Sequence, residues 1–212
     1  MGNNRMMMLS SFKCLIRTFL PALFLLCCDV SQPPENRHPA GGGGAGLPVL
    51  ENVRPAGQET PGRVAGSGKV FAWRDQIYIA QPLGWRKLSR GSDRYFAPSL
   101  SPDGKLVVFT GLSTGVHVAR VVDGGEVFAD EGTNPSWSPD GRFIAYDRTR
   151  DDGHVLTAGD IFIVSVGDWR KADLTGTADR IELRPVFYPD GSRLSFECDG
   201  AAFVADLVEV EP

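Results

Sequence analysis

The sequence predicts an all-β protein: a small β-propeller of about four four-stranded blades, preceded by a signal segment and a disordered Pro/Gly-rich linker. Three observations carry that expectation. A turn motif recurs at a regular period, short β-rich runs flank each copy, and no segment between the copies has helical periodicity.

The repeat is read directly. Pro98–Phe109 is PSLSPDGKLVVF, Pro135–Tyr146 is PSWSPDGRFIAY and Pro185–Phe196 is PVFYPDGSRLSF. A worn copy, GRVAGSGKVFAW, occupies Gly62–Trp73. The aligned glycines Gly68, Gly104, Gly141 and Gly191 are spaced by 36, 37 and 50 residues. A period near 40 belongs to solenoids and propellers. The turn chemistry selects the propeller. In Ser101-Pro102-Asp103-Gly104, proline presets φ at the second position, aspartate suits the third, and glycine takes the left-handed fourth. That is a type I turn closed by a glycine bulge, a common hairpin connection.

The runs after the turns, Leu106–Phe109, Phe143–Tyr146 and Leu194–Phe196, are apolar on both faces, as a strand sandwiched between neighbouring blades requires. A third strand is expected at Ile77–Ala80, Val116–Ala119, Ile161–Val164 and Phe203–Ala205. A short fourth is expected near Lys87-Leu88, Glu126–Phe128, Ala172–Leu174 and Val208–Val210. Four strands per repeat make a blade.

The SPDG hairpin, the strand DIFIVSV (Asp160–Val166) and the LTG element (Leu174–Gly176) together resemble the TolB-like, or PD40 and WD40-like, propeller repeat. The resemblance spans roughly residues 62 to 211. It implies an extracytoplasmic propeller of the bacterial envelope used for protein–protein contact; related blades also serve as accessory domains of serine peptidases. Four blades are fewer than the family's usual six or more, which leaves two expectations open: the four blades close alone, or a second chain completes the ring as a homodimer.

Residues 1–28 read as a signal peptide or lipoprotein signal. Arg5, Lys13 and Arg17 precede an apolar run from Phe19 to Cys28, too short to span a bilayer but the right size for a signal core. The run ends in LFLLCC, which resembles a lipobox and makes Cys27 and Cys28 the lipidation candidates. Residues 29–61, which include GGGG at 41–44, are expected to be a disordered tether with a reach on the order of 30 Å. The propeller is placed at 62–212. The expected location is exported and membrane-anchored, in the cell envelope or at the cell surface.

Net charge is −4, with no basic run in the folded part, which argues against a nucleic-acid partner. Of four cysteines only Cys198 lies in the expected domain, so no internal disulfide is available there. Cys198 reads as a buried thiol.

No catalytic residue, metal site or cofactor is expected. Gly111–Gly115 (GLSTG) matches the serine-hydrolase elbow string, but VHVARVV follows it where that elbow needs a helix. Ser113 therefore reads as a turn residue and His117 as a structural one. Asp147, Asp151, Asp152 and Asp160 surround the longest insertion, DRTRDDGHVLTAG, which reads as a solvated charged loop without cation-loop spacing. Extra length on one rim of a rigid scaffold is where binding concentrates. The binding candidates are accordingly Arg148, Arg150, Asp151 and Asp152 in that insertion, and Trp85 and Trp169 near turns. Trp73 and Trp137 are expected in the packing between blades. These features point to a non-catalytic scaffold that binds an envelope protein. A propeller hydrolase or lyase, an enzyme remnant, and a sensor of a small ligand or glycan are the alternatives.

Overall fold

The computed structural model describes residues 46–57 and 69–209. The expected signal segment, with Cys27 and Cys28, most of the expected tether, and Gly62–Gly68 of the worn repeat lie outside them. Fifteen strands run in chain order: β1 (Pro48–Pro55), β2 (Val70–Trp73), β3 (Gln76–Gln81), β4 (Gly84–Lys87), β5 (Tyr95–Leu100), β6 (Leu106–Gly111), β7 (Gly115–Arg120), β8 (Glu126–Asp130), β9 (Thr133–Trp137), β10 (Phe143–Asp151), β11 (Leu156–Ser165), β12 (Lys171–Asp173), β13 (Glu182–Phe187), β14 (Arg193–Cys198) and β15 (Ala201–Glu209).

They form four antiparallel sheets: β2-β3-β4, β5-β6-β7-β8, β9-β10-β11-β12, and β13-β14-β15-β1. The chain is a small β-propeller with one sheet per repeat. Sheets pack in sequence order, the first on the second, the second on the third and the third on the fourth.

The last sheet departs from expectation. Its fourth strand is not Val208–Val210: β15 runs through Val208 to Glu209 as one long third strand. The outer position is filled by β1, from within the span expected to be tether. Val49 pairs with Val208 and Leu50 with Leu207. The segment PVLENVRP alternates enough apolar residues to cover a sheet edge, and its prolines stand at its two ends, where an edge strand tolerates them. Residues early and late in the chain thus share one sheet.

The repeated turns are built alike. Gly104, Gly141 and Gly191 have φ of 73°, 73° and 74°. Their N–H groups donate to the carbonyls of Ser101, Ser138 and Tyr188, each at 2.9 Å. In the first two turns the serine hydroxyl donates to the aspartate (Asp103 at 2.7 Å, Asp140 at 2.6 Å) and accepts the N–H of Leu106 or Phe143. The prolines tie successive turns together: a Cβ on Gly141 would sit 3.3 Å from Pro102, and one on Gly191 3.6 Å from Pro139.

The innermost strands β5, β9 and β13 each carry a register shift at the residue before their proline. Ala97, Asn134 and Arg184 there have φ of 50°, 51° and 55°. These strands pair on one side only, so the prolines that follow forfeit no ladder bond.

The core lies between sheets. Ile77, Ile79, Tyr95, Val107 and Phe109 join the first sheet to the second. Val108, Val118, Trp137, Ile144 and Tyr146 join the second to the third. Trp137 is in the packing as expected, and its indole N–H donates to the Ser99 carbonyl at 3.1 Å. Trp73 is not: it is 43% exposed, because no described strand covers its face of the first sheet.

Candidate functional site

The insertion expected as a loop is a continuation of the hairpin β10–β11, which holds pairing out to Asp151 and Leu156. Alternation of strand direction puts the β6–β7 turn, the β8–β9 link and this hairpin on one rim. The SPDG turns lie on the other. Between the three elements is a groove of about 640 Å³, lined among others by Thr114, Glu131, Arg148, Arg150, Asp160 and Phe162.

Its charges are arranged in pairs. Arg148 donates to Glu131 at 2.8 Å, and its guanidinium lies 4.9 Å over the Phe162 ring. Arg150 meets Asp160 at 3.2 Å. Asp160 also accepts the N–H of Thr177 at 2.9 Å. Burial, then the neighbouring Asp173 carboxylate, raise the pKa of Asp160. Below it, Glu182 is buried, accepts the Thr177 hydroxyl at 2.8 Å and faces the Cys198 thiol at 3.9 Å. Burial, assisted by the charge of Asp160, pushes Glu182 up to about 7. Cys198 is a buried thiol, as expected.

Asp147, at the centre of β10, is fully buried and joins two blades. It accepts the hydroxyl of Thr133, the amide of Asn134 at 2.8 Å and the backbone N–H of Arg184 at 2.7 Å. The floor is tight: a Cβ on Gly132, at φ 140°, would fall 2.6 Å from the Asp147 carbonyl.

At the groove's edge the β6–β7 turn is pinned from below. Thr114 Oγ1 is 2.6 Å from Asp93 Oδ2 and 2.7 Å from His117 Nε2. His117 Nδ1 is 2.6 Å from Glu126 Oε2. The imidazole is buried, stacked on Phe109 and edge-on to Tyr95. Asp93 also takes the Ser113 N–H at 2.9 Å, and its pKa is lowered by the Thr114 hydroxyl first, against a smaller effect of burial. Threonine, not the serine of the GLSTG string, is the hydroxyl that meets the histidine.

The binding candidates thus separate. Arg148, Arg150 and Asp151 line the groove. Asp152 caps the tip of its own hairpin through the N–H groups of His154 and Val155, both at 2.9 Å. Trp169 is on the opposite rim, half-buried against Phe128. Trp85 lies on the first sheet, 62% exposed. Asp93, Thr114, Glu126, Glu131 and Phe162 carried no signal as single residues, since their partners stand up to 21 residues away or on other strands. Among the described residues no group of three or more His, Cys, Asp or Glu is placed to hold a metal ion.

No family model matches the chain, and no curated protein matches it. Among solved structures it is similar to the tricorn protease, with a TM-score of 0.49 and 16% identity over 62% of this chain and 14% of that one.

Proposed function

We propose that the protein is a non-catalytic propeller scaffold of the bacterial cell envelope, resembling TolB-like repeat proteins, that holds another protein on one rim. The observation that carries this reading is the groove beside the extended β10–β11 hairpin, where cations and carboxylates alternate across Glu131, Arg148, Arg150, Asp151 and Asp160. Such pairs exchange partners with an incoming polar segment and give register and specificity more than raw affinity. The lipobox-like LFLLCC and the tether would keep the propeller at a membrane face, through Cys27 or Cys28.

A second reading, a hydrolase or its remnant, is favoured by the chain Thr114–His117–Glu126, which has the spacing of a nucleophile, a base and an orienting acid. Asp93 weighs against it, because it competes with His117 for the threonine proton.

Crosslinking in the native envelope, followed by affinity capture, separates the two. A reproducible envelope protein captured by the wild type and reduced on the order of tenfold by Arg148→Glu with Arg150→Glu is the expected result. Capture indifferent to those substitutions, together with ester hydrolysis that Thr114→Val abolishes, sinks the scaffold reading in favour of the enzyme.

A further inference from the structure

Among the described residues, the first sheet is covered on one face only. Ile77 and Ile79 point into the core shared with the second sheet. On the other face Phe71, Trp73, Tyr78 and Trp85 form a contiguous aromatic cluster, with ring centroids 5.2 to 5.9 Å apart. Trp73 and Trp85 are 43% and 62% exposed. Leu83, at the tip of the β3–β4 turn beside Trp85, is wholly exposed, and Val122, in the β7–β8 turn, is 78% exposed. Those turns lie together on the rim opposite the groove: Arg86 beside Trp85 donates to the Val121 carbonyl, and Arg90 to that of Asp123.

The same segment is basic. Residues 69–94 hold six Lys or Arg and two Asp, a net of +4, in a chain whose net charge is −4. Arg74 lies over the Trp73 ring at 4.4 Å, and Lys87 stands across from Tyr78 on the aromatic face. Neither they nor Lys69 form an ion pair with a carboxylate among the described residues.

We propose that this corner, the aromatic face of the first sheet with the Leu83 tip, docks onto an anionic lipid surface. Each part matches one layer of that surface. Indole and phenol rings settle at the depth of the headgroups. Cations beside them are drawn to anionic lipid. An isolated aliphatic side chain at a turn tip offers no hydrogen bond and no ring to stack on, but it enters the acyl boundary without loss. Leu83 and Val122 therefore favour lipid over a single-stranded nucleic acid, which the rings and cations alone would also suit. Docked this way, the groove faces away from the membrane. The inference does not depend on the groove's partner or on whether Cys27 or Cys28 is lipidated.

The test uses the full chain with phosphatidylcholine vesicles, with and without phosphatidylglycerol, read by co-sedimentation and by quenching of tryptophan with brominated lipid. Wild type and variants carry the same N-terminal residues, so any anchor contributes equally to both. Binding strengthened by phosphatidylglycerol, weakened on the order of tenfold or more by Arg74→Glu with Lys87→Glu, and quenching lost in Trp73→Phe with Trp85→Phe, are the expected results. Leu83→Asp, at a turn tip, gives the same loss without touching the sheet. Binding indifferent to phosphatidylglycerol and to every variant overturns the proposal. So does a concentration-dependent dimer in sedimentation that the charge reversals dissolve, which would make a second copy the occupant. Oligonucleotide binding with the same sensitivity, and no vesicle binding, would overturn it as well.

Discussion

The third sheet carries an intact SPDG repeat and the first a worn copy of it, and the two sheets meet different environments. In the third, Ile144, Ala145, Tyr146 and Asp147 are all fully buried, so consecutive residues on opposite faces of β10 both meet protein. In the first, Ile77 and Ile79 are buried while Tyr78 between them is only half-buried and Ala80 is exposed. The difference is not one of strand propensity. The third sheet has a neighbour on each side, and the first has one only among the described residues. A sheet in the middle of the stack must be apolar on both faces and tolerates a carboxylate only if every oxygen is partnered, as Asp147 is. A sheet at its end is free to present aromatic and basic side chains to something else.

Truncation is the strongest way to test that contrast. Ile144→Ala, in the middle of the stack, is expected to cost about 2–5 kcal/mol, since the lost side-chain carbons leave a cavity between the second and third sheets. Urea unfolding measures it. A cost below about 1 kcal/mol would mean that the third sheet is no better packed than the first.

The next effect is a pH dependence that originates where the third and fourth sheets meet, at Glu182. Glu182 has an ordinary value of 4.5 and is raised to about 7 by burial first and by Asp160 second. The folded state holds its proton more tightly than the unfolded chain. Its contribution is therefore full below about pH 4.5 and is lost as pH rises through about 7. The loss is on the order of 3 kcal/mol. Glu182→Gln keeps a neutral, hydrogen-bonding side chain and should flatten stability between those limits, raising it at pH 8 relative to wild type. An unchanged pH profile in the variant would place the buried charge elsewhere.

The smallest expected effect is Trp85→Ala, at less than about 0.5 kcal/mol by the same urea measurement, because the ring is largely solvated. A cost of 2 kcal/mol or more would show that the aromatic face is covered in solution and would erase the distinction between the two sheets.

How far the sequence carried depended on the range of the interactions involved. The SPDG turns were legible because every bond that makes them falls within five residues, from Ser101 to Leu106 and from Ser138 to Phe143. The third turn formed with Tyr188 in place of serine, since Pro189-Asp190-Gly191 suffices to set the backbone. The role of β1 was hidden for the opposite reason. Its partners are 148 to 161 residues away, and a Pro-flanked segment next to a glycine run has the local composition of a linker. The charged insertion was visible as extra length but read as a loop, because cross-strand pairing of Arg148 with Asp160 is invisible to composition.

The candidate site divides along the same line. Arg148, Arg150 and Asp151 were found because they sit in an insertion. Thr114, Asp93 and Glu126 were not, because their relation to His117 exists only once β7 and β8 pair and the first sheet delivers Asp93 beneath the turn. Trp73 was assigned to the core because tryptophan in a strand is usually buried; what it faces depends on which sheets stack.

The sequence by itself determined the repeat, the turn type, the all-β character and the number of sheets, since each follows from φ preferences and apolar runs acting over a few residues. Only the tertiary structure decided which strand completes the last blade, which hydroxyl meets the histidine, and which aromatic residues stay in the open. Those outcomes follow from pairing and burial between segments far apart in the chain, where entropy of closure and competition among surfaces, not local conformational preference, select the partner.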